Sequence, residues 1–125
     1  MTRPLIYVAG PITSDPWGCV RTALELEATL EDLGCDAYLP QLSILAEIVR
    51  HKPYQYYIDH GLAMVARCDG LWRIRGDSPG ADREVGRAHT LDIPVFCPHV
   101  FGNPPIFEWL DQVDAYRATR TGGGR

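Results

Sequence analysis

The sequence predicts a single parallel α/β domain, a sheet of four to five strands flanked by helices. Three observations carry this. Short apolar runs suited to buried strands, PLIYVAG, DAYLP, DGLWRIR and IPVFCP, alternate along the chain with segments of helical periodicity. Glycine and proline punctuate the junctions. The chain has 125 residues, 46% of them hydrophobic, which suits one core, and a second domain is not expected. Strands that alternate with helices pair in parallel, because each crossover helix returns the chain to the same end of the sheet.

PLIYVAG forms the first strand and ends at Gly10-Pro11, where proline removes a ladder donor. A helix follows from about Trp17 to Leu33, and Gly34 stops it. DAYLP is a short second strand and QLSILAEIVR a short helix. Lys52-Pro53 breaks the chain before a second helical pattern, about Tyr54 to Arg67, whose apolar stripe is Tyr54, Ile58, Leu62 and Val65. DGLWRIR is the third strand. In GDSPGADREVGRA, Ser78 suits an N-cap and Pro79 the first helical position. IPVFCP is the fourth strand, and Pro104-Pro105 precede a last helix, about Ile106 to Ala118. The domain therefore spans residues 1–118, and TRTGGGR, residues 119–125, reads as a disordered tail.

Composition removes several classes of function. A net charge of −4 argues against a protein that grips nucleic-acid backbones, although a local arginine cluster could still hold one phosphate. Cys19, Cys35, Cys68 and Cys97 lie far apart and form no CxxC pair, so buried thiols in a reducing cytosol are expected rather than disulfides or zinc. The first residues lack a signal peptide's basic and apolar regions, and no run approaches the roughly 20 apolar residues of a membrane span. A soluble, cytoplasmic protein with no membrane partner is the expectation.

Parallel α/β sheets collect ligands at the carboxyl ends of their strands. That rim gathers AGPITSDP, RGDSPGADRE and CPHVFGN. Ser78-Pro79 opens a helix, Gly80-Ala81 allow close approach to its backbone, and alanine fills the position where a capping-box glutamate would reach back. The helix start is thus suited to an anion, phosphate above all, although a well-capped surface helix would read the same way.

Glu84 adds a second signal. At 3.6 residues per turn, Ala81, Glu84, Val85, Ala88 and Leu91 share one face, while Asp82, Arg83, Gly86, Arg87 and Thr90 lie away from it. A carboxylate on the inward stripe is costly unless hydrogen-bonded, and a site needing a desolvated anion would keep it. The ordinary alternative is a half-exposed pair with Arg87 at i+3. Asp59, on the helix before the third strand, could approach the same rim or be a solvated helix residue. Two carboxylates at one sugar ring suit glycosidic chemistry, one at the anomeric carbon and the other at the leaving group's proton.

IYVAGPI, an aspartate nine residues before the cysteine of CDGLWRI, and SPGADREVGRA together make the chain resemble the nucleoside 2-deoxyribosyltransferase superfamily. The resemblance runs from Leu5 to about Phe96. It implies a flavodoxin-like (Rossmann-like) sheet, homodimers or larger assemblies, no metal or organic cofactor, and cleavage of N-glycosidic bonds through a glutamate nucleophile. By position, Glu84 matches the nucleophile, Asp59 the aspartate that helps protonate the leaving base, and Tyr7 the tyrosine that positions nucleophile or ligand. Gly10 matches the glycine that lets the sugar phosphate approach. Six residues before the nucleophile, Ser78 matches the phosphate-binding serine of the nucleotide-hydrolase branch, where transferases carry aspartate. Gly80 and Ala81 complete the anion-receiving helix start.

The pattern is departed from in places. Pro11 and Thr13 replace the phosphate-binding serine and arginine of vertebrate-type hydrolases, with Gly18, Arg75, Arg83 and Arg87 as candidate substitutes. A polar residue from a neighbouring subunit completes the family's site; Asn103 is a candidate. Tyr54, Tyr56, Tyr57 and Trp72 offer rings for a base or for the core. The expected activity is hydrolysis of a nucleoside 5′-monophosphate to free base and (deoxy)ribose 5-phosphate. Base exchange by a deoxyribosyltransferase and non-catalytic nucleotide sensing are the alternatives.

Overall fold

A computed structural model describes residues 2–122. Four strands, β1 (Leu5–Ala9), β2 (Asp36–Tyr38), β3 (Gly70–Arg73) and β4 (Val95–Phe96), form one sheet in the order β2-β1-β3-β4. Every pairing is parallel, with Tyr7 opposite Tyr38 on one side and Leu71 on the other. This is the doubly wound α/β arrangement expected, with four strands. Strand order reverses between β1 and β3, which opens a crevice beyond their carboxyl ends.

Helices α1 (Pro16–Asp32), α2 (Tyr54–Val65), α3 (Pro79–Thr90) and α4 (Ile106–Gly122) cover the sheet. Residue alternation along β1 sorts the core into two layers. Ile6 and Val8 pack with Ala23, Leu30, Trp109 and Val113 on one face; Tyr7 and Ala9 pack with Val65, Leu71, Ala81 and Ala88 on the other. Trp72, Phe96 and Trp109 form an aromatic cluster in the first layer, with ring centroids 4.6 to 5.9 Å apart. Trp72 is therefore a packing residue.

Local chemistry explains the ends of elements. Asp15 caps α1 by accepting from the Gly18 N–H, and Gly34, at φ +88°, turns the chain out of it. The N–H groups of Gly34 and Cys35 then satisfy the carbonyls of Glu31 and Leu30. Two elements differ from expectation. Pro40–Ile48 is a 3-10 helix, confined between the proline at its own start and the Lys52-Pro53 break. Helix α4 continues to Gly122, so residues 119–122 of the expected tail are helical, while residues 123–125 lie outside the described residues. Arg117 and Arg120 near its end both pair with buried Asp69.

All four cysteines are free thiols, Cys35 and Cys68 buried. Among the described residues no helix is long and apolar enough to cross a membrane.

Candidate active site

The inward layer of β1 sends Tyr7 toward α2 and α3, and the tyrosine is fully buried. Its hydroxyl donates to Glu84 Oε2. Glu84 sits on the second turn of α3, on the face expected: Ala81 and Ala88 are buried and Asp82, Arg83, Gly86, Arg87 and Thr90 are exposed. Its hydrogen-bond partner is a phenol from the central strand.

Helix α2 passes close against this pair. A Cβ on Gly61 would lie 2.7 Å from Glu84 Oε2 and 2.9 Å from the Tyr7 hydroxyl, so a larger residue would displace the pair. A cavity of about 150 Å³ opens beside Glu84. Gly10 to Thr13 after β1, Asp77 to Ala81 at the start of α3, and Tyr54, Tyr57, Ile58 and His60 of α2 line it. Tyr38 at the end of β2 and Ser43 of the 3-10 helix complete the wall.

Burial pushes the Glu84 carboxyl up to about 7, against the partial opposition of the Tyr7 hydrogen bond and the Arg73 guanidinium. Burial also raises Tyr7 far above the usual phenol range, and the neighbouring Glu84 charge raises it further. Tyr7 thus stays protonated and remains a donor. Near neutral pH the arrangement presents a partly ionised, desolvated carboxylate whose orientation is fixed by one hydrogen bond.

Ser78 is the N-cap of α3, with Pro79 following it, and its Oγ accepts from the Ala81 N–H at 3.1 Å. The Asp82 N–H bonds the Ser78 carbonyl, which leaves Gly80 as the first-turn donor not used within the helix. The expected helix-start site therefore offers the Gly80 N–H and the Ser78 hydroxyl, whereas the Ala81 N–H is already taken. The loop before it is held by buried Arg73, which donates to the carbonyls of Ile74 and Gly76 and to Asp82 Oδ1.

Glu84, Gly10, Ser78, Gly80 and Ala81 thus line one crevice, and Tyr7 stands behind it, bonded to Glu84. Asp59 is not brought there. It is exposed, accepts from Gln55 Nε2 at 2.8 Å, and does not line the cavity. The reason is angular: Tyr54, Tyr57, Ile58 and Gly61 form the inner face of α2, and Asp59 lies about 100° beyond Ile58. Asn103 is engaged within its own chain, accepting from the Cys97 N–H at 2.9 Å and donating to the Val100 carbonyl at 3.2 Å. Arg83 and Arg87 point outward, and Gly18 and Arg75 border a separate hollow.

Sequence reasoning missed Gly61, Tyr38, His60 and Asp77. The helical period that runs Tyr54, Ile58, Gly61 could have pointed to Gly61 as a close approach of α2. Tyr38 faces the site only because β2 pairs with β1 in the register that sets it beside Tyr7.

No protein-family model matches the chain, and no curated protein matches it. Solved structures do. The 2-deoxyribosyltransferase of Bacillus psychrosaccharolyticus superposes with a TM-score of 0.55 at 21% identity, over 86% of this chain and 81% of that one. A conserved protein from Enterococcus faecalis V583 superposes with a TM-score of 0.58, also at 21% identity, over 90% of this chain and 76% of that one. The chain is structurally similar to both, and what it shares with them is the fold.

Proposed function

We propose that the protein cleaves the N-glycosidic bond of a nucleoside 5′-monophosphate, with Glu84 as nucleophile and water as final acceptor. The carrying observation is the desolvated Glu84 carboxylate, held by Tyr7, at a cavity that also contains the start of α3. As the base departs, the sugar gains oxocarbenium character, and a fixed buried carboxylate favours that state over the neutral ground state. The C1′–N electron pair leaves with the base, and a Glu84 oxygen bonds to C1′. Water then attacks C1′, the ester bond breaks, and the free carboxylate returns with (deoxy)ribose 5-phosphate as product. The Ser78 hydroxyl and Gly80 N–H would receive the 5′-phosphate, aided by the helix dipole.

A second reading is favoured by Asp77. It lines the cavity next to Ser78, and no lysine or arginine is among the lining residues. A free 5′-hydroxyl could donate to Asp77, which suits a nucleoside substrate and base exchange by a deoxyribosyltransferase, the activity of the Bacillus protein. In either reading the working unit is a homodimer or larger homo-oligomer acting on a small molecule.

The test is direct. The protein is incubated with a panel of nucleosides and their monophosphates, with and without an added acceptor base, and free base is measured by chromatography. Base release from monophosphates without an acceptor supports the hydrolase, whereas release that requires an acceptor moves the transferase ahead. No release from any substrate, or release unchanged in a folded Glu84→Ala variant, sinks the chemistry.

A further inference from the structure

Cleavage of an N-glycosidic bond leaves an electron pair on the base, and a neutral base departs readily only if a proton meets it. With Asp59 turned outward, the site needs another donor. Glu84 is committed to C1′ in the proposed reaction. Asp77 stands beside Ser78, at the end of the cavity assigned to the 5′ group. His60 lines the same cavity from α2.

We propose that His60 is the proton donor to the leaving base and that Tyr38 is its positioning residue. The inference rests on the N-glycosidase reading of Glu84. Both side chains line the same cavity as Glu84. His60 Nε2 lies 3.1 Å from the Tyr38 hydroxyl, which fixes one edge of the imidazole. Its ring stacks on Tyr56, with planes 5° apart and centroids at 6.0 Å, which fixes the other direction. Tyr38 in turn packs on Tyr7, ring centroids 5.4 Å apart, so a continuous set of contacts runs from the imidazole to the phenol that holds Glu84. Gly61, the next residue along α2, lies against the Glu84 carboxylate, where an added Cβ would be 2.7 Å from Oε2. Tyr54 and Ile58, earlier on α2, lie against Gly80 at the helix start, whereas Gly61 lies against Glu84; with the 5′ group at Ser78, a base on the Gly61 side of the cavity would meet His60. It is also exposed, so water can return its proton.

The step balances as follows. The imidazolium N–H proton passes to the base as the C1′–N bond breaks, while Glu84 bonds to C1′. In the second half, neutral imidazole takes a proton from the attacking water as the glycosyl ester is cleaved, restoring imidazolium and carboxylate.

The experiment compares a purine nucleoside monophosphate with its N7-methylated form, a cation whose base departs neutral without taking a proton. His60→Gln is expected to slow the unmethylated substrate by about a hundredfold or more, with a loss at least tenfold smaller on the methylated one. Tyr38→Phe should show the same split to a lesser degree. A purely structural role would slow both substrates alike. Equal losses on the two substrates, no loss on the unmethylated one, or a split that appears in Asp59→Asn and not in His60→Gln overturns the proposal. Wild type that fails to release base from the methylated cation sinks the reading of Glu84 itself, and this proposal with it.

Discussion

Tyr7 and Glu84, 77 positions apart in sequence, share a hydrogen bond that ties the inner strand β1 to the second turn of α3. The phenol is buried and stays protonated, so its proton is available to the ionised carboxylate. If Glu84 attacks as the anion, kcat/KM should rise with pH through about 7, following its ionisation. Since the hydrogen bond lowers the Glu84 pKa, Tyr7→Phe should move that limb to higher pH. A pH-rate profile of the two proteins checks both, and a limb unmoved in Tyr7→Phe counts against the pairing.

The same shift makes a statement about stability. The folded carboxyl titrates at about 7, above its ordinary value of 4.5. Between those values the folded protein binds the proton more tightly than the unfolded chain, so stability falls as pH rises. The contribution is fully present below about 4.5 and lost through 7. Glu84→Gln, which cannot ionise, should therefore be more stable than wild type at pH 8, by about 1–3 kcal/mol, with the difference vanishing near pH 4.5. Urea titrations at the two pH values measure it.

In catalysis the substitution should run the other way. Glu84→Ala is expected to lose about a thousandfold in turnover, the scale on which removing a group that stabilises transition-state charge acts. Circular dichroism of the same sample confirms that the fold persists.

The fold was legible because each element carries its own signal: the unbroken apolar run of β1, the Ser78-Pro79 cap, Gly34 after α1. Glu84 was legible for the same reason, since a charged residue on an apolar helical stripe breaks a local pattern. Asp59 misled because one residue of phase on α2 separates the inner face from solvent, and an aspartate in either place leaves the periodicity of its neighbours unchanged. Tyr38 and His60 were hidden because their position depends on the β1–β2 register and on the packing of the 3-10 helix, which are long-range outcomes. The length of α4 escaped for a similar reason: its last turns are anchored by Asp69, some fifty residues earlier in the chain.

Asp69 offers a test of that anchor, far from the chemistry. It is buried at the amino end of β3, where it accepts from the Leu5 N–H at 2.9 Å and from Arg120 Nη1 at 2.9 Å, with Arg117 Nε at 3.5 Å. Asp69→Ala leaves two guanidinium groups and a strand N–H without this acceptor. The arginines are partly exposed, so a loss of about 2–4 kcal/mol is expected rather than the full cost of a buried charge. Chemical denaturation reads it; an unchanged midpoint would show that Asp69 does not anchor α4.

Association should involve the 3-10 helix and the residue after it. Leu45, Ile48 and Val49 are 46%, 79% and 90% exposed, close together in sequence, and Tyr56 of α2 is 45% exposed. Such side chains are ordinarily covered by a partner when they cluster, and self-association about a twofold axis is the commonest arrangement. Sedimentation should show a dimer at assay concentration, and Ile48→Asp should shift it toward monomer. A wild-type monomer with full activity would refute the interface.

The last prediction separates the two substrate readings. Ser78 caps α3 through Oγ and can still donate its own proton to a ligand, whereas Asp77 beside it adds an acidic residue to the lining of the same cavity. Aspartate is as good an N-cap as serine, so Ser78→Asp changes the charge at the helix start with little cost to the fold. A phosphate dianion there would meet a carboxylate at close range, an effect of about 2–4 kcal/mol at the effective dielectric of a protein surface. Monophosphate hydrolysis should then fall by about 30- to 1000-fold relative to cleavage of the matched nucleoside, with added salt softening the loss only in part. Asp77→Asn should move the ratio in the opposite direction, by removing a repulsion already present. The measurement is kcat/KM for a matched nucleoside and monophosphate with all three proteins. If wild type prefers the nucleoside, and Asp77→Asn weakens that substrate, the 5′-hydroxyl is what the helix start receives and the transferase reading takes precedence.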